Sequence, residues 1–515
     1  MKLPCDDAVM QAAYADAPCQ PDSRPWVLFA AILGSSMAFI DSTVVNVALP
    51  VLQTSLNASV VDVQWVVEAY ALFLGALILV GGSLGDLLGR RKVFLAGVAI
   101  FTLASLACGL ATSVRQLIIA RMVQGAGAAF LTPGSLALIG ASFDGEERGR
   151  AIGLWSGFTA ITTGLGPVFG GWLIQHASWR WAFLINLPLA ATVIVVSLRH
   201  VPESRRPGVD RIDWPGALLA TLGLGGVVYG LVESPVLGWR HPLVWGALLA
   251  GVAGLLFFLR VEADSSSPMV PFRLFRSRTF SGANLLTFFL YAAIGIFFFL
   301  LPLNLIQVQG YSPAAAGAAG LPFILLMFAL SRWSGGLVAR YGPGKPLILG
   351  PLISAVGFAL FAVPSMAGSY WSTFFPAYVV LGLGMAITVP PLTTVVMQAV
   401  DSGHAGAASG INNAVARIAG LLAIAVLGVV MLVAFRTHLH HSLSQLALPQ
   451  NVVQEIEANE IKLAALPLPA GIDSDTAATL KTAINRAFLF GFRVVLLICS
   501  GLAVVAAILA RLLIE

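Results

Sequence analysis

The chain alternates long apolar runs with short polar turns. A helix that crosses a bilayer needs roughly 20 mostly apolar residues. Fourteen runs qualify, and six of them come first, at about 26–51, 63–84, 93–111, 116–139, 150–174 and 182–198. Two follow at about 214–234 and 242–260, and six more at about 279–303, 314–339, 346–364, 370–398, 408–434 and 488–511. The order is therefore six, two and six. It predicts an N-terminal tail over 1–25, a six-helix bundle over 26–198 and a linker with two extra helices over 199–278. A second six-helix bundle follows over 279–515.

The polar turns are patterned as well. Gly82-Ser-Leu-Gly-Asp86-Leu-Leu-Gly89-Arg90-Arg91-Lys92 joins the second and third runs, and a weaker copy, from Gly335 to Lys345, lies 253 residues later. Gly125, Gly127 and Pro133 recur as Gly382, Gly384 and Pro390, and Asp144 recurs as Asp401, at an offset of 257. A motif set repeated once in each half of a polytopic chain is a mark of transporters built from two related bundles.

Composition narrows the class. Of 515 residues, 58% are hydrophobic and 10% charged, with a formal net charge of +5. Soluble domains carry about 25% charged residues. The basic residues set topology and give no reason to expect nucleic acid. The turns at 90–92, 148–150, 199–211, 260–278 and 340–345 hold fifteen Lys or Arg; the short turns on the other side hold Arg115, Arg180 and Arg240. That bias puts both termini in the cytoplasm, and the membrane is expected to be the plasma (bacterial inner) membrane. Cys5, Cys19, Cys108 and Cys499 form no disulfide framework. The polar, acidic first 25 residues lack the basic start and apolar core of a cleaved signal, so the first helix is expected to act as its own.

Segment 435–487 is expected as a loop on the outer side. It holds His438, His440 and His441 and a mildly amphipathic run from Val452 to Leu466. Without further ligands at suitable spacing the histidines read as a solvated cluster, so no metal is expected. The amphipathic run reads as a surface helix or a plain loop helix.

Ionisable residues inside the apolar runs are few. The acids are Asp41, Glu68 and Glu233; the bases are Arg121, Arg332, Arg417 and Arg493. Each costs about 2.5–3.5 kcal/mol at the bilayer centre on insertion scales, so each needs a partner or a wet cavity. Asp41 lies mid-helix, five residues before Asn46. A buried carboxylate that loads and releases a proton is what a proton-coupled carrier requires; the bland reading is interhelical glue with Arg121 or with Ser and Thr neighbours. Arg121 shares a helix face with Gln124 and Gly125 and cannot itself lose its proton. Glu68 is a second candidate proton site or a wetted entrance residue. Glu233 ends its helix near the outer surface and reads as an ordinary end residue, and Arg332 and Arg493 lie near helix ends, where snorkelling explains them. Asn46, Gln124, Asn412 and Arg417 are weaker candidates for lining a substrate cavity. In the fifth helix, Gly166, Pro167, Gly170 and Gly171 allow close backbone approach and a bend.

These motifs resemble the major facilitator superfamily over nearly the whole chain, and more closely its fourteen-helix drug:proton antiporter branch, the QacA/EmrB type. Asp41 to Pro50 is similar to that branch's first-helix signature, Gly82 to Lys92 to the superfamily's loop motif, and Arg121 with Gln124, Gly125 and Gly127 to the fourth-helix motif implicated in proton coupling. Gly166, Pro167, Gly170 and Gly171 resemble the fifth-helix antiporter motif. Leu87, Ala339 and Thr162 depart from these patterns. The resemblance implies an all-α major facilitator fold of fourteen transmembrane helices and a proton-coupled exporter of lipophilic, cationic compounds working by alternating access. Asp41, Arg121 and Glu68 would serve proton coupling, and Gly82, Asp86, Gly89, Arg90 and Arg91 the conformational gate. No cofactor is expected, since no nucleotide-binding loop appears and the proton gradient supplies the energy. The partners are a small lipophilic substrate and the bilayer, and, in a cell with two membranes, a periplasmic adaptor and an outer-membrane channel. Rival readings are export of an endogenous metabolite or lipid, proton symport for uptake, and a membrane sensor or scaffold; an enzyme is not expected.

Overall fold

The computed structural model describes residues 23–143, 145–205, 213–265, 268, 270–364, 366, 368–400, 405–446 and 448–514. Its regular elements are all helical among the described residues. The first seven are α1 (Arg24–Ser55), α2 (Val60–Leu88), α3 (Arg90–Leu110), α4 (Val114–Ser142), α5 (Gly145–His176), α6 (Trp181–Leu184) and α7 (Asn186–His200). The middle pair is α8 (Trp214–Leu237) and α9 (Pro242–Asp264). Then come α10 (Arg278–Leu303), α11 (Pro313–Ala319), α12 (Leu321–Gly335), α13 (Leu337–Tyr341), α14 (Gly344–Phe361) and α15 (Tyr370–Gln398). The chain closes with α16 (Ala405–Ser444), α17 (Gln450–Asn459) and α18 (Ser474–Leu513). Fourteen spans among the described residues are long and apolar enough to cross a membrane, and each overlaps one of the fourteen sequence runs.

Three boundaries differ from the sequence expectation. The run at 314–339 is divided into α11, α12 and α13. Pro322, at the start of α12, has no N–H to carry the preceding helix forward. The run at 182–198 breaks at Ile185 and resumes as α7. The expected outer loop 435–487 is largely helical, because α16 continues to Ser444 and α18 begins at Ser474. Hydropathy ends where polar residues begin, but backbone hydrogen bonding does not. The start of α18 is capped by Asp473, whose carboxylate accepts from Thr476 N at 2.9 Å. The Thr476 hydroxyl, donating to Asp473 Oδ1 at 2.7 Å, together with that backbone bond holds the Asp473 carboxyl below its usual range.

The described residues sort into two compact units. One comprises the residues up to Val45, with Val66–Gly225 and Gly251–Pro271; the other comprises Asn46–Trp65, Gly226–Ala250 and the residues from Phe272 on. The compact units therefore cut across the bundles that sequence order suggests, since the turn between α1 and α2 sorts with the second unit.

Each unit uses the same close packing. A Cβ on Gly125 would meet the Tyr70 backbone of α2, and one on Gly382 would meet Phe323 Cα of α12 at 3.0 Å. A Cβ on Gly127 would stand 2.5 Å from Phe101 N of α3, and one on Gly384 the same distance from Ser354 N of α14. Tyr70 and Phe323, like Phe101 and Ser354, are themselves 253 residues apart, so the repeat is one of packing and not only of letters. Small residues are what let membrane helices approach in this way. Gly127→Val should therefore cost about 1–3 kcal/mol through overpacking, read as a lower midpoint of thermal unfolding in detergent. Gly153→Ala, at a position where a Cβ meets nothing within 4 Å, should leave that midpoint unchanged.

Candidate functional site

The first unit is built around Asp41, which is fully buried on α1. Arg121 of α4 pairs with it through Nη1 and Oδ2. The same Nη1 donates to Gln124 Oε1 at 2.7 Å, and Arg121 Nε donates to the Val66 carbonyl of α2 at 3.0 Å. The guanidinium lies over the Tyr70 ring, 4.1 Å from its centroid. Gln124 Nε2 donates to Asp41 Oδ1 and to Ser105 Oγ of α3, both at 2.8 Å. Asn186, the first residue of α7, donates from Nδ2 to Ser105 Oγ at 2.9 Å and, more weakly, to Asp41 Oδ1 at 3.4 Å. Its Oδ1 has no hydrogen-bond partner. Five helices thus converge on one carboxylate, and Ser105, Gln124 and Asn186 are each 0% exposed.

The local sequence explains the arrangement. Arg121 and Gln124 are three residues apart and share one face of α4. Gly125, one residue on, lets α4 approach Tyr70, and this brings the guanidinium within reach of the α2 backbone. The Ser42 and Thr43 hydroxyls donate to carbonyls of α1 itself, at Phe39 and Ile40. The contact of Asp41 with Arg121 is the one that the interhelical-glue reading named, and the bond to Gln124 adds a partner that the sequence reading did not pair with the acid. Ser105, Asn186 and Tyr70 were not legible in the sequence, because a lone serine, asparagine or tyrosine in an apolar run carries no distinguishing pattern.

The glycine-rich turn is organised by a residue that the motif does not contain. Arg90 donates from Nε and Nη2 to Asp86 Oδ1 at 3.0 and 2.8 Å. Glu203, from the segment after α7, caps the start of α3. Its Oε1 accepts from Arg91 N at 3.0 Å and its Oε2 from Lys92 N at 3.2 Å. Arg91 Nη1 donates to the Val201 carbonyl at 2.9 Å. Gly89, at the N-cap position, has φ 113°, and a Cβ there would lie 2.6 Å from the Glu203 carboxylate. Gly82 keeps a looser place, where a Cβ would reach Pro133 of α4 at 3.9 Å. In the second copy Gly342 also takes a positive φ of 77°, but a side chain there would meet nothing within 4 Å. The helix that follows the second copy, α14, starts after Pro343, which provides no side-chain cap.

On α5 a Cβ at Gly166 would run into Thr43 of α1, and one at Gly170 into Val44. Gly171 is buried and Pro167 lies inside the helix. Thr162 Oγ1 donates to Ser36 Oγ at 3.1 Å and Trp155 Nε1 to Ser35 Oγ at 3.1 Å, which ties α5 to α1. Glu68 is fully buried on α2, two residues from the carbonyl that Arg121 engages.

The remaining candidates lie in the second unit. Glu233 was read as an unremarkable end residue, yet its Oε1 accepts from Trp65 Nε1 at 2.7 Å. Asn412 donates to Asn284 Oδ1 at 3.1 Å and to Thr287 Oγ1 at 2.7 Å, as glue between α16 and α10. Arg417 is half-buried on α16 and Asn46 half-buried on α1. Arg493 is not merely snorkelling, since its Nη2 donates to the Pro364 carbonyl at 3.2 Å. The histidine cluster is dispersed: His438 stacks on Phe490, His440 faces Glu457 and Glu460, and His441 faces Gln445. The side chain of Arg332, together with Cys5, Cys19, Asp144 and Asp401, lies outside the described residues.

Residues 31–424 match the model of the Major Facilitator Superfamily. The chain belongs to that superfamily. It is 32% identical over 497 residues to the tetracenomycin C resistance and export protein of Streptomyces glaucescens, covering 95% of this chain and 91% of the relative. It is 36% identical over 449 residues to the multidrug resistance protein Stp of Mycobacterium tuberculosis, covering 85% and 82%. In fold it is similar to a bacterial homolog of the human lysosomal transporter Spinster in an inward-facing, occupied conformation, with a TM-score of 0.63, 21% identity and coverage of 96% and 97%. The chain is thus an integral membrane transporter of the efflux kind and not an enzyme.

Two stability measurements test this geometry. Arg121→Gln leaves a buried carboxylate without its cation, which should cost about 3–5 kcal/mol. Adding Asp41→Asn should recover part of that loss, and a double variant less stable than Arg121→Gln alone would contradict the pairing. Glu203→Ala should lower stability by about 1 kcal/mol through loss of the α3 cap.

Proposed function

We propose that the transporter is a drug:proton antiporter in which Asp41 carries the proton and Arg121 tunes it. The observation that supports this most is the fully buried Asp41 carboxylate, held on both oxygens by donors from separate helices. A protonated Asp41 would no longer need Arg121 as counter-charge, and the unpartnered Asn186 Oδ1 offers an acceptor beside it. Proton uptake would therefore rearrange contacts among α1, α4 and α7 at once. That is the kind of two-state element on which alternating access depends. Glu68, one helix away, is the second candidate acid. Asp86, Gly89, Arg90 and Arg91, with the Glu203 cap, form the gate turn in this reading.

The cargo in this reading is a lipophilic small molecule; a drug-like cargo is supported by relatives whose names give tetracenomycin C resistance and export, and multidrug resistance, for those proteins. A cationic cargo sets an energetic constraint. Each charge crossing 100 mV is worth about 2.3 kcal/mol. One proton exchanged for one monovalent cation moves no net charge, so only the pH gradient drives it, at about 1.4 kcal/mol per unit. The turns rich in Arg and Lys would face the cytoplasm with both termini, in the plasma (bacterial inner) membrane. In a cell with an outer membrane, a periplasmic adaptor and an outer-membrane channel would complete the export route.

The test is proton movement in proteoliposomes that carry an interior pH dye, on addition of lipophilic cations. The wild type should show cargo-dependent proton flux, and Asp41→Asn should abolish it. Flux that survives Asp41→Asn would move the proton site to Glu68. No flux with any cation would withdraw the cationic cargo and favour a metabolite or lipid.

A further inference from the structure

Segment 450–466 of the second unit carries a device that neither the family motifs nor the transport reading uses. The segment 450–466 forms α17 and a 3₁₀ turn, Glu460–Ala465. Its base is tied to α16. Arg436 Nε pairs with Glu460 Oε1 at 2.6 Å, and the two ring nitrogens of His440 face Glu457 and Glu460 at 3.1 and 3.0 Å. It is tied to α18 by Lys481 Nζ, which donates to the Ala464 carbonyl at 3.1 Å. Ile456, Leu463 and Leu466 are buried beneath it.

Its tip reaches the turn between α1 and α2. Lys462 Nζ donates to Asn57 Oδ1 at 2.9 Å, and the Lys462 carbonyl accepts from Gln53 Nε2 at 3.0 Å. Gln53 Oε1 in turn accepts from Gln307 Nε2 in the π-helical turn after α10, at 2.9 Å. Gln64 of α2 donates to the Ile424 carbonyl of α16 at 2.9 Å, beside Gly428, where a Cβ would lie 3.1 Å from the Gln64 amide. These contacts are why Asn46–Trp65 clusters with the second unit.

Two backbone conformations sit at the same contact. Among the described residues, the non-glycine positions with positive φ are Asn57 at 48° and Leu463 at 52°. Asparagine tolerates that region; leucine does not. Such conformations persist only where surrounding contacts impose them, and they gather at switch regions. One lies on each side of the contact, and Lys462, which reaches across, precedes Leu463 directly.

We propose that segment 450–466 is a strap that clasps the α1–α2 turn through Lys462, Gln53 and Asn57, and that transport requires the clasp to release. The salt-bridged base stays on α16 while the tip lets go. The contact to be broken includes hydrogen bonds made by the long side chains of Gln53 and Lys462 and one strained leucine, a combination that can open and reclose. This rests on the alternating-access reading above, but not on the identity of the proton site or cargo.

The experiment uses the full chain in proteoliposomes, with Cys5→Ser and Cys19→Ser as background; Cys108 and Cys499 are buried. Asn57→Cys and Lys462→Cys are introduced together and bridged with a short, reducible bis-maleimide. Bridging should stop ethidium export, reduction should restore it, and each single variant should be indifferent to the reagent. Export that continues after complete bridging, or failure of the pair to bridge, would overturn the proposal. A second reading needs no cargo or proton gradient. Ala58→Cys, at a position 2% exposed, is labelled with a membrane-impermeant maleimide. Gln53→Ala with Lys462→Ala removes three hydrogen bonds and should speed labelling about tenfold or more; an unchanged rate would sink the strap. If labelling speeds while Asp41→Asn leaves proton flux intact, the strap stands and the Asp41 assignment falls.

Discussion

A carboxylate in hydrocarbon is tolerable only if other parts of the protein surround it. Asp41 lies in the middle of a helix, at a depth where no water is assured, and its cost must be met by neighbours. Arg121, Gln124 and Asn186 supply the donors, and Ser105 orients two of them. Arg121 is itself a buried charge, so it needs the Val66 carbonyl and the Tyr70 face as much as it needs the acid. Each group is stable only in the presence of the others. That mutual dependence draws α1, α2, α3, α4 and α7 to one point, and it makes the charge on Asp41 a quantity that several helices register together.

Glycine makes this geometry reachable. Gly125 brings α4 against the backbone of α2, and Gly127 brings it against α3. With larger residues the helices would stand farther apart and the guanidinium would fall short of the carbonyl. The second unit reproduces the same approaches at Gly382 and Gly384, but it carries no Asp41 counterpart. Asn412, Asn284 and Thr287 join its helices with neutral hydrogen bonds. The two units therefore share a packing plan, and the first adds to it the buried Asp41–Arg121 pair.

Polar contacts at the two ends of α2 follow different rules. At the glycine-rich end, Glu203 caps α3 through backbone N–H groups, and Gly89 makes room for it with a backbone conformation that other residues resist. At the far end, Gln53, Asn57 and Lys462 meet through long side chains and one backbone carbonyl, with the strained Leu463 alongside. The first contact positions a helix start by fixed backbone donors. The second depends on flexible side chains, which can exchange partners with little rearrangement of the backbone.

Much of this was determined by sequence alone. Fourteen apolar runs specify the helices because a bilayer admits little else, and repeated glycines specify the two-fold plan because only glycine allows such close approach. Asp41 and Arg121 stood out because charge inside an apolar run is rare. Tertiary structure decided what periodicity cannot carry. Asn186 and Ser105 join the ion pair from helices whose sequence gives no hint of it, and Glu203 caps α3 from more than a hundred residues away. Segment 435–487 looked like a loop because its polar residues end the hydropathy signal; its helices come from local backbone hydrogen bonds that continue past that signal, and its clasp on the α1–α2 turn from hydrogen bonds between residues some 400 positions apart. A one-dimensional pattern records which residues prefer to be buried, whereas the partners of a buried polar atom are settled only by the fold that brings them together.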